Sequence, residues 1–154
     1  MDEEDLKIRV KNIVEKATTL KNKYIDYKNT PINYACIFSQ NKKEYDELVE
    51  VAQKIGNVIK ETPTGLLFHI KPLQTISGVL KLLKIRLPDP TRPERGDADF
   101  TVSNFLEFEK KYLSKAGFKL IKRENFVMME LMDSKFDVRA YFSNPPLDVQ
   151  LNIK

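Results

Sequence analysis

Tryptophan is absent from this chain of 154 residues, and it has one cysteine, Cys36, and one histidine, His69. A single thiol excludes an intrachain disulfide and a cysteine-based zinc cluster. Inside the apolar run 32–38, Cys36 reads as a small core residue in a reducing compartment. A single histidine excludes a His-rich metal site or a His–His acid/base pair. No apolar run approaches the roughly 20 residues that cross a bilayer. The acidic opening MDEEDLK lacks the apolar stretch of a secretory signal. The expectation is a cytoplasmic protein with no membrane partner. Also missing are a G-x-S-x-G elbow, a Walker loop and a G-x-G-x-x-G turn. Enzymatic activity and any cofactor are therefore left open.

What is present is an ordinary globular composition, 42% hydrophobic and 31% charged. At this length one domain buries roughly 70% of its unfolded surface. The net charge of +4 and pI near 9.0 come mostly from lysine. Acidic residues are interspersed, which suits a solubilising surface, and a nucleic-acid or anionic partner fits as well.

Residues 3–27 form a predicted helix, capped by Asp2, with Leu6, Val10, Ile13, Ala17, Leu20 and Tyr24 in a heptad stripe. The stripe suits packing on the chain's own sheet or pairing in a homodimer. A strand over 32–38 precedes a helix over 41–55, and Gly56 closes that helix. Strands over 58–61 and 66–71 make a hairpin. A short apolar helix is expected over 73–80 and a strand over 82–87. After the loop 88–96 come a strand over 97–102, a helix over 104–115, a hairpin of 118–123 with 126–132, and a strand over 136–142. The tail 147–153 reads as a last strand.

The order strand, helix, hairpin, strand thus occurs twice. The expected fold is α+β, with two pseudo-repeated βαβββ modules, mostly antiparallel, and an added long N-terminal helix. As one domain over 1–154, the chain divides into the helix (1–30), a first module (32–87), a connector loop (88–96) and a second module (97–154). The paired βαβββ order over 32–143 resembles the vicinal-oxygen-chelate (glyoxalase/bleomycin-resistance) superfamily, whose modules each curl into half of a cup. The resemblance implies metal ligands, His or Glu, on the first and last strands of each module. The nearest positions are Asn33 and Asp97 on first strands, and Arg86 and Arg139 on last strands. Arginine has no lone pair for a metal, so the resemblance implies a member without the usual metal chemistry.

Strand alternation places functional residues without help from any family. Phe136, Val138, Ala140 and Phe142 share one face, leaving Asp137, Arg139 and Tyr141 on the other. The same alternation gathers His69, Arg86, Asp97, Asp99 and Glu130 on that second face. Arg86 and Arg139 as a repeat-related pair, with Tyr141 and the loop residues Arg92 and Arg95, make a candidate ligand-binding set, since a guanidinium fork matches a carboxylate or phosphate. A joint clamp requires the two guanidinium groups within roughly 6–10 Å of each other. The competing reading pairs each arginine with a nearby carboxylate and leaves nothing to bind. Asp97 and Asp99 carry the spacing of a metal-binding DxD, though turn formation after Gly96 explains them as well. His69, oriented by Glu130, is the one candidate for acid/base catalysis, against a plain structural histidine. Three functions remain in play: a small-anion binding protein, a basic nucleic-acid module, and a dimeric assembly protein with no small ligand.

Overall fold

A computed structural model describes residues 1–153 of the chain. Its centre is an eight-stranded sheet built from β1 (Ile32–Phe38), β2 (Gly56–Thr62), β3 (Gly65–Thr75), β4 (Gly78–Arg86), β5 (Gly96–Phe100), β6 (Phe118–Lys122), β7 (Val127–Leu131) and β8 (Val138–Asn144). The spatial order is β2-β3-β4-β1-β5-β8-β7-β6, which reads as module one followed by the reversed order of module two. Pairing is parallel at β1–β4 and β5–β8 and antiparallel at the other junctions. The α+β fold with two βαβββ modules and a long N-terminal helix is therefore the one expected from the sequence.

Four helices accompany the sheet: α1 (Glu3–Tyr24), α2 (Lys42–Ile55), α3 (Phe105–Tyr112) and the short α4 (Leu147–Gln150). Asp2 and Asp5 close a reciprocal capping box on α1, each side chain accepting from the other's backbone N–H. The module helices start alike: Asn41 accepts from Glu44 N–H, and Asn104 accepts from Glu107 N–H. The heptad stripe of α1 is spent inside the chain, because Leu6, Val10, Ile13, Ala17 and Leu20 are all buried in the common core. At 22 residues α1 is about 33 Å long. It touches β1, β3, β5 and β8 and so bridges both modules. Over the second module the core is aromatic. Phe108 meets Phe142 at 4.6 Å and Tyr112 at 5.1 Å between ring centroids, and Tyr112 meets Phe118 at 5.7 Å.

Three expectations need correction. Residues 73–80 are not helical: β3 and β4 run on through them and join at Thr75–Gly78. Gly78 takes φ +114, and the Thr75 hydroxyl donates to the Gly78 carbonyl at 2.7 Å, so turn chemistry overrides the apolar run. The tail does not add a strand; it forms α4, where Asn33 and Asp148 exchange hydrogen bonds at 2.8 and 3.2 Å. Helix α1 also stops at Tyr24, with extended backbone at Ile25, short of residue 27.

The modules meet along β1 and β5, with Ala35 opposite Ala98 and Cys36 opposite Asp97. Gly96 sits in this seam, where an added Cβ would lie 2.2 Å from the Cys36 carbonyl oxygen and 2.9 Å from Ile13 Cδ1. A backbone carbonyl in a sheet cannot retreat as a side chain would. Gly96→Ala is therefore expected to destabilise the fold by about 1–3 kcal/mol, measured by urea unfolding.

Candidate functional site

Alternation along the central strands sends Ala35, Ile37, Ala98, Phe100, Val138, Ala140 and Phe142 under the helices. The opposite face carries Tyr34, Cys36 and Phe38 of β1, Lys84 and Arg86 of β4, Asp97 and Asp99 of β5, Glu130 of β7, and Arg139 and Tyr141 of β8. The registers align them in rows. Lys84, Cys36, Asp97 and Arg139 lie directly opposite one another on four adjacent strands. A second row runs Tyr34, Asp99, Tyr141, Glu130.

This face is concave. One cavity of about 450 Å³ is lined by Tyr34, Cys36, Lys84, Asp97, Met128 and Tyr141 from the strands. Its walls include Pro63 and Thr64 from the β2–β3 turn at one edge of the sheet, and Arg123 and Phe126 from the β6–β7 turn at the other. Turns from opposite edges can share one cavity only if the sheet curls, so the two modules together make a cup. Such a volume suits a small metabolite.

The connector closes one end of the cup. Asp89 lies 3.6 Å from the Arg86 guanidinium and 3.7 Å from that of Arg92. Arg92 donates to the Tyr141 hydroxyl at 3.1 Å, and Tyr141 donates to Glu130 at 2.6 Å. Arg139 is buried between Glu94 at 2.9 Å and Glu130 at 3.3 Å and also donates to the Thr91 carbonyl. Arg92 and Arg139 both stand over the Phe38 ring, 5.4 and 6.0 Å from its centroid. The loop is thereby fixed to the sheet as a wall.

These contacts revise the candidate set. Arg86 and Arg139 share the concave face, but they start three strands apart, roughly 14 Å along the sheet. Each is engaged by carboxylates, so they form no joint clamp. Arg139 is a buried structural cation whose charge Glu94 and Glu130 neutralise. Arg95 points away from the cup toward Glu44 of α2, 3.7 Å distant. Arg86, Arg92 and Tyr141 do line the cavity. His69 and Glu130 are not partners: five strand steps, roughly 24 Å of sheet, separate β3 from β7. His69 lies instead in a separate open depression of about 550 Å³ with Lys54, Lys71 and Lys81, whose polar lining is exposed. Of the methionines, Met128 lines the cup and Met132 does not.

Lys84, Tyr34, Cys36, Thr64 and Arg123 were not among the sequence candidates for this site. Lys84 shares the alternation of Arg86 and was legible on that ground. Arg123 and Thr64 sit in turns, and only the curl of the sheet brings them in. Lys84 Nζ donates to the Thr64 hydroxyl at 2.6 Å. Burial lowers the Lys84 pKa and holds the Cys36 thiol and Tyr34 phenol well above their usual ranges. The thiol is thus no ready nucleophile.

Asp97 and Asp99 are both buried. Burial pushes Asp97 up to about 7, against the opposing pull of Arg92, Lys84, Arg86 and Arg139. Burial likewise pushes Asp99 up to about 8, partly opposed by the hydroxyl of Ser143, which donates to its carboxylate. Among the described residues no three His, Cys, Asp or Glu side chains come together in a way that could hold a metal ion. The donor set therefore does not fit the metal that the DxD spacing or the family resemblance would imply.

No family model matches this chain, and no curated protein does. A solved structural-genomics structure, Protein EC4020, has a similar fold: TM-score 0.71 over 93% of this chain and 88% of that one, at 12% identity. At that identity the likeness shows the fold alone. An NAD-dependent benzaldehyde dehydrogenase from Legionella pneumophila (71% of this chain, 96% of that one, 12% identity) and a mutant 4-hydroxymandelate synthase from Streptomyces coelicolor (75% and 48%, 10% identity) reach TM-scores of only 0.37, too low to carry an argument. No described helix is long and apolar enough to cross a membrane.

The raised carboxyl pKa values set a pH dependence. An unfolded Asp titrates near 3.9. Between that value and about 8, unfolding releases the proton that folded Asp99 retains, so stability falls as pH rises through this window. Asp99→Asn, which can still accept from Ser143, is expected to raise Tm above pH 8 and flatten the Tm–pH curve between pH 5 and 8, followed by scanning calorimetry. Arg139→Ala, which strands Glu94 and Glu130 without their buried cation, is expected to cost about 3–5 kcal/mol in urea unfolding.

Proposed function

We propose that this protein binds a small anionic molecule, a carboxylate or phosphate, in the cup shared by its two modules. The observation that carries the reading is the charge of the cavity wall: Lys84, Arg86, Arg92 and Arg123 face a single lining carboxylate, Asp97. Arg86 and Arg92 share one partner, Asp89, and no ion pair reaches Lys84 or Arg123 among the described residues. Cations gathered around one concavity, with Lys84, Arg86 and Arg92 half-buried and Arg123 exposed at its rim, repel one another, and an anion relieves that repulsion while accepting their hydrogen bonds. Arginine and lysine at these positions give an anion site of mixed geometry in place of a symmetric arginine clamp.

The mirror-related strand order supports a finer reading, that the modules are of the vicinal-oxygen-chelate kind. In such a protein the last strands would present Arg86 and Arg139 where the family places metal ligands, with Arg86 lining the cavity and Arg139 held in a structural role by Glu94 and Glu130. The free, buried Cys36 is consistent with a reducing, cytoplasmic setting.

Inorganic phosphate and small carboxylates are expected to raise Tm in a concentration-dependent manner. Lys84→Ala and Arg123→Ala are each expected to weaken binding by about tenfold or more, the loss of one charge-assisted hydrogen bond. Arg95→Ala, outside the cup, should leave it unchanged. An affinity, measured by calorimetric titration, that is insensitive to Lys84→Ala and Arg123→Ala would remove the reading.

A further inference from the structure

The cup has one lining carboxylate that its cationic wall does not pair. Asp97 lines the cavity and is only 6% exposed; its Oδ1 is fully covered and without a hydrogen-bond partner, which leaves Oδ2 as the oxygen that a ligand can reach. No ion pair reaches its carboxylate among the described residues, even with Lys84, Arg86, Arg92 and Arg139 all close enough to act on it. A buried carboxylate left without a partner is costly, so a ligand that supplies a donor there gains more than one that does not.

The chemistry of the surroundings restricts that donor. An ammonium group would have to enter the field of Lys84, Arg86, Arg92 and Arg123, and it could only donate. A hydroxyl is neutral and both donates and accepts, so it complements Asp97 whether the carboxyl is ionised or protonated. Apolar groups would leave the carboxylate as it is.

We infer that the cup selects anions bearing a hydroxyl group, hydroxy acids or polyol phosphates, with Lys84, Arg86, Arg92 and Arg123 taking the anionic end and Asp97 taking the hydroxyl. This rests on the anion-binding reading above and adds the second point of recognition. The neighbouring hollow of about 210 Å³ shares Tyr34, Lys84, Phe126 and Met128 with the cup and adds Leu67 and Leu147 beside the polar Lys60, Thr62, Ser143 and Gln150, giving the carbon skeleton a partly apolar wall.

The test is calorimetric titration of the intact protein with matched pairs: glycerol 3-phosphate against n-propyl phosphate, and lactate against propionate, with phosphoethanolamine as the ammonium comparator. The wild type is expected to bind the hydroxylated member of at least one pair about tenfold more tightly, and phosphoethanolamine more weakly than either three-carbon phosphate. Asp97→Ala should erase the preference while leaving n-propyl phosphate bound as well or better, since a carboxylate has left the cationic field. Equal affinities within each pair, both weakened by Lys84→Ala, would overturn the role of Asp97 and leave the anion cup standing. A preference that survives Asp97→Ala, or tighter binding of phosphoethanolamine than of glycerol 3-phosphate, would likewise overturn it. Failure of every anion to bind would remove the anion reading and this inference together. The wild-type comparison decides the matter even if the alanine variant does not fold.

Discussion

The seam between β1 and β5 is the constraint on which the molecule depends. It joins the two modules edge to edge, and its register puts Ala35 against Ala98 on one face and Cys36 against Asp97 on the other. A one-residue slip would exchange the faces, sending Asp97 and Asp99 into the hydrocarbon core and Ala98 and Phe100 into the cup. Gly96 enforces the close approach at one end, and α1, packed on strands of both modules, holds it from the helical side. One antiparallel pairing therefore decides both what the core is made of and which ionic groups meet.

The concave face then has to manage charges that the sheet has removed from water. Around Arg139 the charge is balanced: Glu94 and Glu130 form ion pairs with the guanidinium, the Thr91 carbonyl accepts from it, and the Tyr141 hydroxyl links Glu130 to Arg92, although Arg139 Nε has no hydrogen-bond partner. Around Asp97 and Lys84 it is not. The charge-balanced cluster specifies the position of the connector, and the one without ion pairs marks where a ligand has something to gain. The same two modules thus yield a structural end and a receptive end of a single surface.

Much of this was legible in the chain. The alternation of Arg139 and Tyr141 with Val138, Ala140 and Phe142 assigned both faces of β8, and Asp97 and Asp99 followed the same rule. The order of elements disclosed the paired modules, which place Arg86 and Arg139 on corresponding last strands. The run Leu73–Leu80 was not legible as strand, because its apolar content fits either period and the tight turn depends on one glycine and one threonine hydroxyl. Nor could a pairing of Arg86 with Arg139 be tested by sequence: adjacency depends on how many strands intervene, and nothing local records that number.

Composition and pattern by themselves determined the three longer helices with the Asp2 cap of the first, the period-two strands, and the membership of each face of the central strands, because these depend on neighbours within a few residues. Tertiary structure alone decided which charged groups became partners. Glu94 reaches Arg139 through the path of the connector, and Arg123 faces Thr64 across the cup because the sheet curls. Such contacts join residues tens of positions apart, and their geometry is set by strand order, register and curvature, which no short stretch of the chain encodes.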